Sequence, residues 1–154
     1  FIGSFLGIGL IALIQSVYLA ENDNLFLIGS FGASSVLIYG VIQSPLAQPR
    51  NLIGGHVVSA FIGVTVFQLL PNLVWLTAPL AVSLSIIAMQ YTKTLHPPGG
   101  ATALIAVTGS GKIKALGFLY VVFPVLTGVA ILLAVALIIN NMTPERKYPT
   151  GERK

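Results

Sequence analysis

The chain has 154 residues, of which 55% are hydrophobic and 8% are charged, and its formal net charge is +4. Soluble domains carry roughly 25% charged residues, so this composition is typical of an integral membrane protein and excludes an ordinary soluble core. The absence of cysteine excludes disulfides, thiolate metal sites and cysteine nucleophiles. The positive charge does not indicate nucleic-acid binding, because four of the eight basic residues lie in the last nine positions.

Four apolar stretches of the sequence are long enough to cross a membrane as helices. An α-helix rises about 1.5 Å per residue, so a hydrocarbon core of about 30 Å needs about 20 apolar residues. Polar, proline-containing or glycine-rich breaks separate these stretches. We therefore predict full transmembrane helices over residues 1–19, 51–70, 73–91 and 115–139.

Two further apolar segments are unusual for transmembrane helices. Residues 25–42 are about long enough to span, yet they are rich in glycine, alanine and serine. Residues 97–107 would cover only about half of the hydrocarbon core, and they begin with two prolines followed by two glycines. Proline fits the first turn of a helix but not its interior. We therefore expect residues 96–100 to form a bend or unwound stretch that leads into a short helix.

The predicted fold class is an all-α polytopic membrane protein with four full transmembrane helices and two glycine-rich, interrupted or half-length helical segments. Residues 1–140 form a single transmembrane domain, and residues 141–154 form a polar, basic C-terminal tail. If both short segments are re-entrant there are four crossings, and the basic residues divide evenly between the two faces. If both cross there are six, and Arg50, Lys93 and the tail share a face opposite Lys112, which the positive-inside rule favours.

The six-segment topology contains a candidate internal repeat. Residues 32–38 align with residues 100–106 at one constant offset, and the flanking apolar segments align at the same offset. Because three segments per unit is an odd number, the second unit would be inverted, giving the 3+3 inverted repeat found in many transporters. The alternative is that small residues recur because transmembrane helices pack through them.

The ionisable side chains away from the charged loops are His56 and His96. A histidine near a helix end is commonly an interfacial hydrogen-bonding residue. Both histidines, however, lie beside a glycine pair, where a ligand or another backbone can approach closely. They have no partner at metal-ligand spacing, so a metal site is not indicated.

The start of a short helix offers unpaired N–H groups and a partial positive charge of about half an elementary unit, which attract an anion without buried lysine or arginine. Two such starts facing one another would supply N–H and hydroxyl donors from Ser34, Ser35 and Thr102. The missing side chains of Gly99 and Gly100 would admit the ligand. Such a site suits a small anion better than a cation.

Three blocks of sequence resemble the HPP family of membrane proteins: LHPPGGATAL at residues 95–104, FGASSVL at 31–37 and SPLAQPRNLIGGH at 44–56. The resemblance covers nearly the whole chain. It implies an integral membrane protein, usually described with four transmembrane helices, and in cyanobacteria and plastids it implies nitrite transport. The location implied is a bacterial, cyanobacterial-type inner membrane or the plastid envelope.

We expect a transporter of a small inorganic anion, with nitrite as the substrate that the resemblance implies, working in the lipid bilayer as a homo-oligomer without a cofactor. The alternatives are a transporter of another small solute and a non-transporting membrane scaffold subunit. An enzyme is not expected, because the sequence lacks a buried carboxylate, cysteine and a Gly-x-Ser-x-Gly motif.

Arg50 either gathers anions in a vestibule or anchors its helix at the lipid headgroups. The candidate substrate-binding residues are Gly32, Ala33, Ser34, Ser35, Arg50, His56, His96, Pro97, Pro98, Gly99, Gly100, Ala101 and Thr102.

Overall fold

The computed structural model describes residues 1–19, 24–71 and 73–150, and this part of the chain contains helices and no β-strand. The prediction of an all-helical fold is therefore confirmed. A π-helical segment, Val36–Gly40, continues the second α-helix, and another, Val121–Leu126, leads into the last one. The α-helices of the described residues are α1 (Ile2–Tyr18), α2 (Gly29–Ser35), α3 (Pro49–Leu69), α4 (Val74–Tyr91), α5 (Pro97–Thr108), α6 (Gly111–Ala115) and α7 (Thr127–Ile139).

Three helical segments in the described residues are long and apolar enough to cross a membrane: α3, α4 and the segment Val121–Ile139. The first helix, α1, is apolar but has 17 residues, so the expectation of four full spans stays a prediction. The last predicted span is interrupted. Phe123 has non-helical φ and ψ of −131° and 121° ahead of Pro124, because proline does not fit a regular helix interior.

Prolines begin two of the helices. α3 starts at Pro49 and α5 starts at Pro97, where the missing N–H group would have had no helical partner anyway. His96 is extended, with φ −141° and ψ 105°, as expected for a residue that precedes proline. The expected bend or unwound stretch over residues 96–100 is present only at His96, because residues 97–100 already form the first turn of the short helix α5.

Glycines bring α3 and α5 into backbone contact. A Cβ atom on Gly99 would lie 2.8 Å from both the Gly55 carbonyl oxygen and Ser59 Oγ. A Cβ on Gly63 would lie 2.6 Å from the Ala103 carbonyl oxygen. Real side chains essentially never approach so closely, so these glycines allow the two helices to lie directly on one another.

α1, α2 and the π-helical continuation of α2 pack around α7. Gly128 of α7 lies against the ring of Phe31 from α2. The phenol of Tyr39 lies against Gly7 of α1 and donates a hydrogen bond of 2.9 Å to the Leu132 carbonyl. The main apolar core lies among α1, α7 and the stretch formed by α2 and its π-helical continuation, which we call the α2 segment (residues 29–40).

One end of the bundle, which we call the tail end, collects the start of α3, the end of α4 and the C-terminal tail. The Arg50 guanidinium donates to the Thr92 carbonyl at 3.1 Å, next to Lys93. The Tyr148 hydroxyl donates to the Ala47 carbonyl at 2.7 Å. The tail therefore packs against the bundle as far as the described residues extend.

Basic residues also lie at the opposite end of α3. Lys114 Nζ lies 5.3 Å from the ring centroid of Phe67, which belongs to the last turns of α3. α5 runs alongside α3 from the tail end toward this opposite end. The arrangement fits the six-segment topology, in which Lys93 and Lys112 lie on different faces, and the side of the membrane that each end faces stays a prediction. The six-segment topology also places Glu21 and Asp23 on the same face as Lys112, and these two residues lie outside the described part of the chain.

Candidate functional site

Four polar side chains meet inside the bundle, and we call them the polar cluster. Ser34 comes from α2, His56 from α3 and Thr102 from α5, and His96 immediately precedes α5. Each residue has an exposed fraction of 0%. Their polar atoms must therefore find hydrogen-bond partners within the protein.

The glycine pair of α3 brings His96 to the polar cluster. A Cβ on Gly55 would lie 2.5 Å from the His96 Cβ and 2.9 Å from the Thr94 carbonyl oxygen, and Gly54 lies against the Thr94 side chain. The segment that carries His96 therefore rests directly on the backbone of α3. The sequence left open whether a ligand or another backbone approaches this glycine pair, and the structure places another backbone there.

A continuous chain of hydrogen bonds links the polar cluster. Ser34 Oγ lies 2.7 Å from His56 Nε2 and 2.9 Å from His96 Nε2. His56 Nδ1 lies 2.7 Å from Thr102 Oγ1, and His96 Nδ1 lies 2.8 Å from the Leu46 carbonyl oxygen. These distances are those of good hydrogen bonds, so every imidazole nitrogen of the cluster has a partner.

The Leu46 carbonyl fixes the direction of this chain. A carbonyl oxygen only accepts, so His96 Nδ1 carries the hydrogen, and Nε2 of neutral His96 accepts from the Ser34 hydroxyl. Ser34 has one hydrogen, so its oxygen accepts from His56 Nε2–H. Nδ1 of neutral His56 then accepts from the Thr102 hydroxyl. One backbone carbonyl therefore sets the tautomers of both histidines.

The loop that carries Leu46 is held in place at the tail end. Gln48 Nε2 donates to the Ser44 carbonyl at 2.9 Å. The Tyr148 hydroxyl donates to the Ala47 carbonyl, and burial raises the pKa of Tyr148 to about 12. The hydroxyl therefore stays protonated at neutral pH, and the tail keeps the Leu46 loop against the polar cluster.

Sequence reasoning missed Tyr120. This residue is fully buried, and its hydroxyl donates to the Thr102 carbonyl at 3.1 Å. A tyrosine inside an apolar stretch is a signal, because a buried phenol needs a hydrogen-bond partner. The sequence does not say which partner. The Leu46 carbonyl gave no signal at all, since every residue has a carbonyl.

Two hydroxyls of α2, those of Ser30 and Ser35, are buried and have no hydrogen-bond partner among the described residues. Ser35 belongs to the predicted set, whereas Ser30 does not. Ser30 precedes Ser34 by four positions, so the two hydroxyls lie on one face of the helix. Burying an unpartnered hydroxyl costs free energy that a polar ligand would recover.

Other predicted residues lie apart from the polar cluster. Gly32 and Ala33 are exposed, and a Cβ on Gly32 would meet nothing within 4 Å. Arg50 is exposed at the tail end, where it donates to the end of α4.

The predicted residues of the first turns of α5 have different environments. Pro98 and Gly99 are buried, and Pro97 is exposed. Gly100 and Ala101 are partly buried, and a Cβ on Gly100 would lie in ordinary contact, 3.8 Å from Val82 Cγ1. At Gly99, contact with α3 is a sufficient reason for the missing side chain.

Apolar spans around a buried, hydrogen-bonded polar centre define a polytopic helical membrane protein. Residues 1–149 match the family described as HPP, transmembrane region. The chain therefore belongs to the HPP family, as its three sequence blocks predicted, and it is an integral membrane protein.

Two relatives are transmembrane proteins of Dictyostelium discoideum, each 48% identical to this chain over 151 residues. The match covers 96% of this chain but 48% of one relative and 53% of the other, so the chain spans about half their length. No solved structure matches the chain. These relatives do not support the expected bacterial inner membrane or plastid envelope.

Proposed function

We propose that this protein transports a small inorganic anion, and that nitrite is its substrate. The observation that carries the proposal is the polar cluster, a group of hydroxyls and imidazoles that bond to one another inside a bundle whose buried side chains are mostly apolar. Burying polar groups in a membrane protein is costly, and such groups commonly line a substrate or ion path. Nitrite is the substrate implied by the resemblance to the family.

The donor-rich chemistry around the cluster favours an anion over a cation. Cations are bound in proteins mainly by carboxylates and carbonyl oxygens. Among the described residues the acidic side chain is that of Glu145, which is exposed in the tail. The unpartnered hydroxyls of Ser30 and Ser35 each have a hydrogen that can be donated to an anion.

A 3+3 inverted repeat is part of the proposal, and the short helical segments support it. Gly29–Gly40, formed by α2 and its π-helical continuation, and Pro97–Thr108 each have 12 residues, and their starts are 68 positions apart. Ser34 and Thr102 are separated by the same 68 positions, and each bonds to His56. Transporters with inverted repeats bind substrate where the two interrupted helices meet. A homo-oligomer is also part of the proposal.

The direct test is nitrite uptake by purified protein in liposomes, with nitrate, bicarbonate and chloride as competitors. We expect protein-dependent uptake that Thr102→Val slows about fivefold, since a neutral hydrogen bond is worth about 1 kcal/mol. Thr108→Val is the matched control, because Thr108 is exposed at the end of the same helix and bonds the Leu104 carbonyl of its own helix. Wild-type liposomes that take up no anion would refute the proposal.

A further inference from the structure

We propose that Thr102, His56, Ser34 and His96 form a proton relay that holds one proton on the two histidines, so that the anion moves together with a proton. This inference rests on the proposed function, because it assigns the coupling ion of the same site. It is carried by the unbroken chain of hydrogen bonds, with donor–acceptor distances of 2.7 to 2.9 Å.

Once a proton reaches the buried Thr102 hydroxyl, its transfer along the relay needs no movement of any heavy atom. When Thr102 Oγ1 receives a proton from a hydronium ion, which becomes water, Thr102 passes its own hydrogen to His56 Nδ1. His56 passes its Nε2 hydrogen to Ser34, and Ser34 passes its hydrogen to His96 Nε2. Each of the first three groups gives one hydrogen and receives one, and His96 becomes the imidazolium. Both N–H groups of charged His96 then have acceptors, the Leu46 carbonyl and Ser34 Oγ.

Protonation reverses the direction of every hydrogen bond between Thr102 and His96. His56 Nδ1 becomes a donor to Thr102 Oγ1, so the Thr102 hydroxyl must donate elsewhere. The Pro98 carbonyl oxygen, 3.4 Å from Thr102 Oγ1, is the available acceptor. The added proton therefore changes the direction of the Thr102 hydroxyl at the start of α5.

The histidine pair binds one proton and not two. The ring centroids of His56 and His96 lie 5.0 Å apart, and two buried like charges at that distance repel each other strongly. No carboxylate of the described residues faces the pair. The ionisable side chains on the elements packed around it mostly bond to backbone carbonyls: Tyr39 to Leu132, Tyr120 to Thr102, Tyr148 to Ala47, Arg50 to Thr92 and Arg146 to Tyr39. Tyr91 and Lys93 are exposed at the end of α4.

Electrostatics links this proton to the anion. A single buried charge in a membrane protein is costly, whether it is an imidazolium or an anion, and a nearby opposite charge offsets that cost. The unpartnered Ser30 hydroxyl lies on the α2 face that carries Ser34. An anion held there would therefore neutralise the protonated pair, and the two ions stabilise each other in the site.

Histidine tautomers give a test that is independent of transport, because the chain has only two histidines. Protein labelled with ¹⁵N-histidine and reconstituted in lipid is examined by NMR across a pH titration. We expect one Nε2–H and one Nδ1–H tautomer at neutral pH, and uptake of a single proton per chain on acidification. Two identical tautomers, or two protons bound independently, would overturn the relay.

Coupling is measured by imposing a nitrite gradient across liposomes that contain a trapped pH dye. The dye signal of protein-free liposomes is subtracted, because nitrous acid crosses bilayers unaided. We expect the wild type to move about one proton with each nitrite, as a pair that holds a single charge requires. Ser34→Ala removes the hydroxyl that bridges the two histidines, so this variant should lose the proton flux. Ser85→Ala, a buried serine of α4 that bonds the Ala81 carbonyl of its own helix, should keep it.

The possible failures are distinguishable. Wild-type nitrite flux that carries no proton would overturn the relay and leave the proposed function standing. A correct tautomer pair and single-proton titration without any nitrite flux would overturn the proposed function and leave the relay as a proton-binding site.

Discussion

α5 and the α2 segment begin with similar small-residue sequences, yet they pack differently. In α5, Gly99 lies directly on the α3 backbone. In the α2 segment, a Cβ on Gly29, Gly32 or Gly40 would meet nothing within 4 Å. Small residues therefore close a helix interface in one segment and leave the surface open in the other.

The buried hydroxyls of the two segments also differ in whether they have hydrogen-bond partners. Thr102 of α5 bonds to His56, whereas Ser30 and Ser35 of α2 lack partners among the described residues. Unsatisfied polar groups in the interior are where a polar ligand gains most. We infer that α5 supplies the fixed wall of the site and that α2 supplies the open hydrogen-bonding capacity.

The largest expected effect comes from Gly99→Ala. The new Cβ would lie 2.8 Å from the Gly55 carbonyl oxygen and from Ser59 Oγ, so α3 and α5 must separate. Overpacking of this kind typically costs about 1 to 3 kcal/mol. Thermal unfolding in detergent should show a clear loss of stability.

Gly100→Ala is the matched control, because it makes the same substitution one residue further along the same helix. Its Cβ would make an ordinary contact at 3.8 Å from Val82 Cγ1. This variant should unfold at or above the wild-type temperature. Equal destabilisation by both variants would contradict the assignment of Gly99 to the helix interface.

A smaller loss is expected for Tyr120→Phe, which tests whether α5 is fixed through its backbone. The change removes the hydroxyl that donates to the Thr102 carbonyl at 3.1 Å, a hydrogen bond worth about 0.5 to 1.5 kcal/mol. Tyr91→Phe is the control, because Tyr91 is 86% exposed. If both variants unfold at the wild-type temperature, the Tyr120 hydrogen bond does not hold α5.

Much of the fold followed from hydropathy and proline placement, because helix length in a membrane is set by bilayer thickness. The sequence also singled out His56, His96, Ser34 and Thr102. It did not predict that they bond to one another, since their contacts join residues up to 62 positions apart. It could not distinguish a glycine that admits a ligand from one that admits a helix, because both uses require the same missing side chain.

The smallest expected effect is that of Gly32→Ala, and it decides whether the open face of α2 is empty or functional. The new methyl group would meet nothing within 4 Å, and alanine is favoured over glycine inside a helix by up to about 1 kcal/mol. Stability should therefore stay level or rise slightly, with nitrite uptake unchanged. Gly128→Ala is the control, because its Cβ would collide with the ring of Phe31 and should destabilise the fold. A folded Gly32→Ala protein that no longer takes up nitrite would mean that the anion passes along the Gly32–Ala33 face, and the site would then be the helix start predicted from the sequence and not the polar cluster.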